Sequence, residues 1–131
     1  MTDAIVFRAL VWRVVLAVAL IAVTWASLSP MPAQASMANL DKVFHVGAYI
    51  AFYLLAWRAF PGSALQWRLH VPLLIFGMVI EVLQGLTDYR SMEALDVLAD
   101  ATGLGIGCLL LSLWPGRARW LQRSVASAGQ G

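Results

Sequence analysis

Polar and ionisable side chains recur at helical spacing in three stretches of an otherwise apolar chain. Residues three or four positions apart lie on one face of a helix, so each stretch could present its polar groups together. Carboxylates and an imidazole gathered in this way could transfer protons, coordinate a metal ion or bind a polar headgroup. The three sets are Asp41, His45 and Tyr49; Glu81, Gln84 and Asp88; and Asp96 with Asp100.

Glu81 is the residue in these sets that most requires a partner. Apolar residues flank it, and it falls in the outer half of its predicted helix. A carboxylate facing lipid at that depth would cost kilocalories, so such a group faces protein or water and is a candidate functional residue. We expect it to pair with Lys42, His45 or Arg90, which are the cationic groups on the same predicted side of the membrane.

Ordinary structural roles stay open for several of these residues. Asp41 could cap the second helix, and Asp96 could favour the positive N-terminus of the fourth helix. Asp88 and Glu93 fit solvated loop charges, and a lone His45 fits a hydrogen-bonded structural histidine. A functional interpretation therefore depends on the convergence of these groups on several helices.

Four apolar stretches are of a length that could position these groups in a membrane. A spanning helix needs about 20 mostly apolar residues. We therefore predict an all-α membrane protein, a compact bundle of four transmembrane helices in a single domain over residues 1–131. The predicted spans are about 14–32, 43–60, 69–87 and 97–114.

The composition supports a membrane location and excludes several classes of protein. Of the 131 residues, 61% are hydrophobic and 12% are charged, whereas a typical soluble domain has about 45–50% and about 25%. A chain this short cannot bury so much apolar surface in one core. The basic residues are scattered, so nucleic acid is not an expected partner.

Sequence motifs for common cofactors and catalytic sites are absent. The chain has no P-loop, no dinucleotide-binding glycines, no lipase-type serine motif and no zinc-protease motif. Its single cysteine, Cys108, lies in an apolar run and fits an inert packing residue. We predict no cofactor and no dedicated metal site.

The distribution of charge predicts the orientation of the spans. Seven of the nine Lys and Arg residues fall on one side of four spans, and six of the seven acids lie at or near the other side. Because positive charge accumulates on the cytoplasmic side, both termini are predicted to be cytoplasmic. An alternative is a cleaved signal peptide formed by Arg13, the apolar run 14–26 and the triplet 33–35, which would leave three spans in the same orientation.

Small residues four positions apart predict close helix packing in the fourth span. The residues concerned are Ala99, Gly103 and Gly107 in one row, and Ala101 with Gly105 in a second. We expect Gly47 and Gly77 to serve the same purpose in the second and third spans.

Three segments resemble the VanZ-like family of bacterial membrane proteins in their order and spacing. They are DKVFHVGAY at 41–49, EVLQ at 81–84 and YRSMEALDVLADATG at 89–103. The family shows an Asp-Lys-x-x-His-x-x-x-Tyr opening, a Glu-x-x-Gln pair, and an Arg-Ser loop before an Asp and a Gly-rich last helix. The resemblance covers about 10–115 and includes SLSPMP at 27–32, which looks like the family's exit from its first helix.

The resemblance implies a protein of the bacterial cytoplasmic membrane that retains its first span and acts in the cell envelope. The family's namesake is associated with resistance to teicoplanin, a lipid-bearing glycopeptide that acts at the outer face, but the family supplies no agreed reaction. This chain departs from the family at Asp100, where Asn is more common, and at Asp88-Tyr89, which replaces Pro-Gly. The first departure adds a negative charge.

Resemblance and spacing together define the candidate site residues. Candidate catalytic residues are His45, Glu81 and Asp96; candidate substrate-binding residues are Asp41, Lys42, Tyr49, Gln84, Arg90, Ser91 and Asp100.

Three hypotheses from different classes remain open at this point. In the first, an outer-leaflet pocket binds the polar headgroup of a membrane lipid or lipid-linked envelope intermediate, with Lys42 and Arg90 on its phosphate. In the second, the protein is an intramembrane hydrolase or transferase in which His45 and Glu81 act as base and acid. In the third, the polar groups satisfy one another and the protein is a structural subunit.

A metal-dependent version of the second hypothesis uses an imidazole and hard oxygen ligands. Its ligands would be His45, Glu81, Asp96 and Asp100, although their spacing matches no recognised metal motif.

Overall fold

Four α-helices account for most of the described chain. The computed structural model describes residues 2–30, 38–60 and 67–116. The helices are α1 (Thr2–Leu28), α2 (Ala38–Ala59), α3 (Trp67–Gly85) and α4 (Ala94–Leu113). The prediction of an all-helical protein is confirmed, and among the described residues α1, α3 and α4 are long and apolar enough to cross a membrane.

The helix bounds differ from the predicted spans mainly at their ends. α1 begins at Thr2 and not near position 14, because a helix can continue through polar residues beyond an apolar stretch. α4 begins at Ala94, after Glu93 in extended backbone (φ −120°, ψ 115°). Residues 31 and 32 of the first predicted span, and the triplet 33–35 of the alternative cleavage site, lie outside the described residues.

α2 is the central helix and packs against the other three. Its buried side chains include Phe52, Tyr53 and Trp57, whereas α1 exposes many large apolar side chains, among them Ile21 and Trp25. Polar groups on α2 are therefore compatible with a membrane location, because its neighbours and not lipid surround much of its surface. α2 is not among the three helices that are apolar enough to span a membrane by composition alone. Its central position allows this, because a helix that packs against other helices needs fewer apolar residues.

Contacts near the helix ends define the direction of each helix. Arg13 Nε donates a hydrogen bond to the carbonyl oxygen of Ala59 at 3.1 Å, so the first half of α1 lies beside the end of α2. The rings of Trp57 and Trp114 are 5.7 Å apart, which brings the end of α4 to the same end of the bundle. α2 and α4 therefore run in parallel, and α1 is antiparallel to both.

The opposite end of the bundle joins α3 to α1. Gln84 Nε2 donates to the carbonyl oxygen of Ser27 at 3.1 Å, and the Tyr89 hydroxyl donates to that of Leu28 at 2.7 Å. Both helices thus finish at this end, where α2 and α4 begin. The arginines of the described helices lie toward the other end: Arg8, Arg13, Arg58 and Arg68. Arg117, Arg119 and Arg123 lie outside the described residues.

One row of small residues lets α4 approach α2 closely. A Cβ added to Gly103 would lie 2.5 Å from the Val46 carbonyl oxygen, and one added to Gly107 would lie 3.0 Å from Tyr53 Cβ. The packing role predicted for these two glycines is confirmed. The same prediction is wrong for Gly47 and Gly105, where no atom of the described residues lies within 4 Å of an added Cβ because both residues face outward.

Candidate functional site: a polar cluster where α2 and α4 begin

Polar side chains from α2, α3 and the start of α4 meet at the end of the bundle opposite the arginines. We call these residues the polar cluster: Asp41, Lys42, His45, Tyr49, Glu81, Glu93, Asp96 and Asp100. Because α2 and α4 run in parallel, their first turns lie side by side and bring residues more than 50 positions apart into contact.

Asp100 is the innermost acid of the polar cluster. It is only 1% exposed, and its Oδ1 lies 2.8 Å from His45 Nδ1. The Tyr49 hydroxyl donates a second hydrogen bond to the same carboxylate. A Cβ at Gly77 would overlap with both the Asp100 carboxylate and the Tyr49 hydroxyl, so glycine at this position lets the backbone of α3 approach the pair.

The same histidine belongs to a second group of residues with ligating atoms. Asp41, His45 and Asp96 each offer one ligand atom, and these atoms lie within 4.8 Å of one another. Asp96 is 4% exposed, whereas Asp41 and His45 are half-buried. Asp41, His45 and Tyr49 were predicted to share one face of α2. The structure places them there, with Tyr49 buried toward the interior of the bundle.

Lys42 joins the start of α2 to the residues that open α4. Its Nζ lies 3.0 Å from Glu93 Oε2 and 3.5 Å from Asp96 Oδ1. The hydrogen bond to Glu93 raises the pKa of the lysine ammonium, which lies just before the predicted second span and stays charged. The expectation that Glu93 is a solvated loop charge is therefore only half right, because this exposed carboxylate is also the ion-pair partner of Lys42.

Among the described residues, Glu81 forms no contact ion pair with Lys42, His45 or Arg90, although pairing with one of them was expected. Its Oε2 accepts a hydrogen bond from the backbone N–H of Glu93 at 3.0 Å, and its buried Oε1 has no hydrogen-bond partner among the described residues. A backbone donor can replace a cation here because the chain turns back over α3 just before α4. Glu81 is 2% exposed and lies within electrostatic range of His45 and Asp96.

Arg90 lies in the connection between α3 and α4. Its Nε and Nη2 atoms are buried and have no hydrogen-bond partner within the described parts of the chain. A buried guanidinium is a strong donor for carboxylate or phosphate groups, so these two nitrogens are available to an anionic ligand.

Besides Arg90, two of the predicted site residues lie outside the polar cluster. Gln84 is buried, but its side-chain amide binds the carbonyl oxygen of Ser27 at the end of α1. Gln84 therefore lies on the face of α3 that packs on α1. Residue spacing within α3 could not show whether this face contacts α1 or α2. Ser91 is exposed in the connection before α4, as is Asp88.

Sequence reasoning missed two contributors to this geometry. Glu93 both opens α4 and binds Lys42, and its position three residues before Asp96 was the available signal. Gly77 was expected to aid helix packing, but no signal in the sequence indicated that it faces the Asp100 carboxylate.

The polar cluster and Arg90 together have three chemical capacities. The carboxylates and imidazole of the cluster can coordinate a cation, and His45 oriented by Asp100 can accept a proton. The two Arg90 nitrogens that lack a hydrogen-bond partner among the described residues can bind an anion. Comparisons of the chain with models of protein families, with curated proteins and with solved structures give no match. The chemistry of these residues therefore carries the functional interpretation.

Proposed function

We propose that this chain is a VanZ-like protein of the bacterial cytoplasmic membrane that binds the polar headgroup of a membrane lipid or a lipid-linked envelope intermediate. In this proposal the chain crosses the membrane four times with both termini in the cytoplasm, and the polar cluster lies at the outer leaflet. Its role in the cell is the handling of an envelope component, with glycopeptide resistance of the teicoplanin type as the phenotype to examine.

The observation that carries the proposal is the pair of buried Arg90 nitrogens without a hydrogen-bond partner in the described chain. Leaving such donors unpaired is costly, and a phosphate oxygen is a suitable acceptor for two parallel N–H groups. Lys42, with a side chain that is 30% exposed, supplies a second cation at the same end of the bundle.

The acidic residues nearby support a headgroup that carries both charges. One buried oxygen of Glu81 has no hydrogen-bond partner in the parts of the chain that the structure describes, and Asp41 is half-buried at the start of α2. A phosphate next to an amine or hydroxyl group would satisfy donors and acceptors of the site together. The end of a helical bundle also coincides with the depth of lipid headgroups in a bilayer.

Native mass spectrometry of the detergent-purified protein tests the proposal. Wild-type protein is titrated with phosphatidylglycerol and, separately, with phosphatidylethanolamine. We expect one lipid to bind in preference, and the double variant Lys42→Gln with Arg90→Gln to bind it at least about tenfold more weakly, as expected for lost charge-assisted hydrogen bonds. Arg68→Gln, which removes the same charge at the opposite end of the bundle, is the matched control.

Equal binding by the double variant and the wild type would contradict the proposal. Arg90→Lys refines the test, because it keeps the charge and loses the planar pair of donors. Weaker binding in Arg90→Lys would indicate bidentate contact with the phosphate. A wild-type protein that binds neither lipid would favour the self-satisfied, structural hypothesis.

A further inference from the structure

We propose that Asp41, His45 and Asp96 form a binding site for a divalent transition-metal ion, with Asp100 as the carboxylate that orients His45. The ligand atoms of the three residues already lie within 4.8 Å of one another. Three atoms bound to one first-row ion at about 2.0–2.2 Å are separated by no more than about 4 Å, so small side-chain adjustments would complete the site. This inference does not depend on headgroup binding.

The orientation of His45 is the first argument for a metal ion. Metal-bound histidines almost always donate their second ring N–H to a carboxylate, a carbonyl group or water. Here Nδ1 lies 2.8 Å from Oδ1 of Asp100, and Asp100 also accepts a hydrogen bond from Tyr49. An imidazole that donates from Nδ1 keeps the lone pair of Nε2 free for a ligand.

The burial of the Asp96 carboxylate is a second, independent argument for a metal ion. This side chain is 6% exposed and belongs to the triad of ligands, and its buried Oδ1 forms no hydrogen bond with the described residues, although Lys42 Nζ lies 3.5 Å away. A buried carboxylate oxygen in this state is costly, and cation coordination removes the cost. Unlike a solvated acidic patch, Asp96 is therefore a buried carboxylate that a closely bound cation would stabilise further.

Local charge also favours a divalent cation. Asp41, Asp96 and Asp100 bring three carboxylates to one imidazole, and the cation in contact with them among the described residues is Lys42. Buried charge of one sign is unstable without compensation, so an ion of charge +2 next to Lys42 would balance these acids.

Lys42 does not occupy the place of the ion. Its shorter contact is the hydrogen bond to Glu93 Oε2 at 3.0 Å, and its ion pair with Asp96 Oδ1 is longer, at 3.5 Å. Glu93 is about half exposed, so the lysine can remain on it while an ion contacts Asp96. The ammonium is consequently a competitor for Asp96 and not a component of the site.

The donor set selects the class of ion. One imidazole nitrogen with two carboxylate oxygens suits Mn²⁺ or Zn²⁺, whereas Mg²⁺ and Ca²⁺ prefer oxygen ligands throughout. The order of affinities for divalent first-row metals predicts that Zn²⁺ displaces Mn²⁺ from a common site.

Electron paramagnetic resonance with Mn²⁺ as the probe tests the proposal on the full chain in detergent, after chelator treatment and without added lipid. We expect one Mn²⁺ per chain, a nitrogen coupling in the spin-echo spectrum from His45, and displacement by Zn²⁺ but not by equimolar Mg²⁺. His45→Gln should remove the nitrogen coupling and weaken binding at least about tenfold, and Asp100→Asn should weaken it about 10- to 100-fold.

Three further variants keep the test independent of folding. Asp41 is half-buried, so Asp41→Asn is expected to fold and to bind Mn²⁺ more weakly, whereas the exposed control Asp88→Asn is expected to bind it as the wild type does. Lys42→Gln should bind Mn²⁺ as well as the wild type or more tightly, which is opposite to its expected effect on phosphate binding. Substoichiometric Mn²⁺ in the wild type, or undiminished binding in folded His45→Gln and Asp41→Asn, would overturn the proposal.

Discussion

His45 on α2 and Asp100 on α4 are joined by a 2.8 Å contact between Nδ1 and Oδ1, although 55 positions separate them in the chain. The contact lies one turn further along the bundle than the Lys42–Glu93 ion pair and is shielded from water. Together the two contacts fix the parallel register of α2 and α4.

The His45–Asp100 contact should contribute measurably to stability. A double-mutant cycle with His45→Ala and Asp100→Ala is expected to give a coupling energy of about 0.5–3 kcal/mol, because both residues are in direct contact. The free energy of unfolding is measured by reversible denaturation in mixed micelles. The exposed control Asp88→Ala should stay within about 0.5 kcal/mol of the wild type, and an additive cycle would show that the contact is energetically silent.

Replacing a glycine at a contact between helices should destabilise the protein, whereas replacing an outward-facing glycine should not. Gly103→Ala and Gly77→Ala are expected to destabilise the protein by about 1–3 kcal/mol, because each added Cβ overlaps with neighbouring atoms. Gly105→Ala is the matched control in the same helix, since no atom of the described chain lies within 4 Å of its added Cβ, and it should be neutral or stabilising by up to about 1 kcal/mol. Thermal unfolding in detergent makes the comparison, and equal shifts for Gly103→Ala and Gly105→Ala would contradict the packing of α2 on α4.

Glu81 should be replaceable by an amide but not by an apolar residue. Glu81→Gln keeps an oxygen acceptor for the Glu93 N–H, whereas Glu81→Leu leaves this donor unpaired and is expected to cost about 1–3 kcal/mol. Unfolding of both variants in detergent measures the difference. If Glu81→Leu is as stable as Glu81→Gln, then the hydrogen bond to Glu93 does not support the start of α4.

The proposed orientation can be read from cysteine labelling. In a Cys108→Ala background, Ser91→Cys is expected to react with a membrane-impermeant maleimide on intact spheroplasts, because position 91 precedes α4 on the proposed outer side. Pro115→Cys, after the end of α4, should react only once the membrane is permeabilised. The reverse pattern would place the polar cluster at the cytoplasmic face.

The helices and the polar faces were predictable because both depend on local patterns. Apolar length identified the four helices, and spacing by four residues identified the shared face of Asp41, His45 and Tyr49. The row with Gly103 and Gly107 was predictable for the same reason.

The pairing of the polar groups was not predictable, since it depends on how the helices are rotated against one another. Spacing within α3 could not reveal that Glu81 accepts from a backbone N–H, or that Gln84 turns toward α1. It also could not show that Gly77 faces Asp100, because a glycine has no side chain whose polarity would indicate the chemistry of its neighbour. These contacts join separate elements and therefore required the structure.

The central position of α2 has a consequence for how the protein enters a bilayer. A helix that is enclosed by three others but is not apolar enough to span by composition alone gains little from contact with lipid. In the four-span topology, α2 would depend on α1 for its insertion and on the arrival of α4 for its retention. The polar cluster would then form only once α4 has been synthesised.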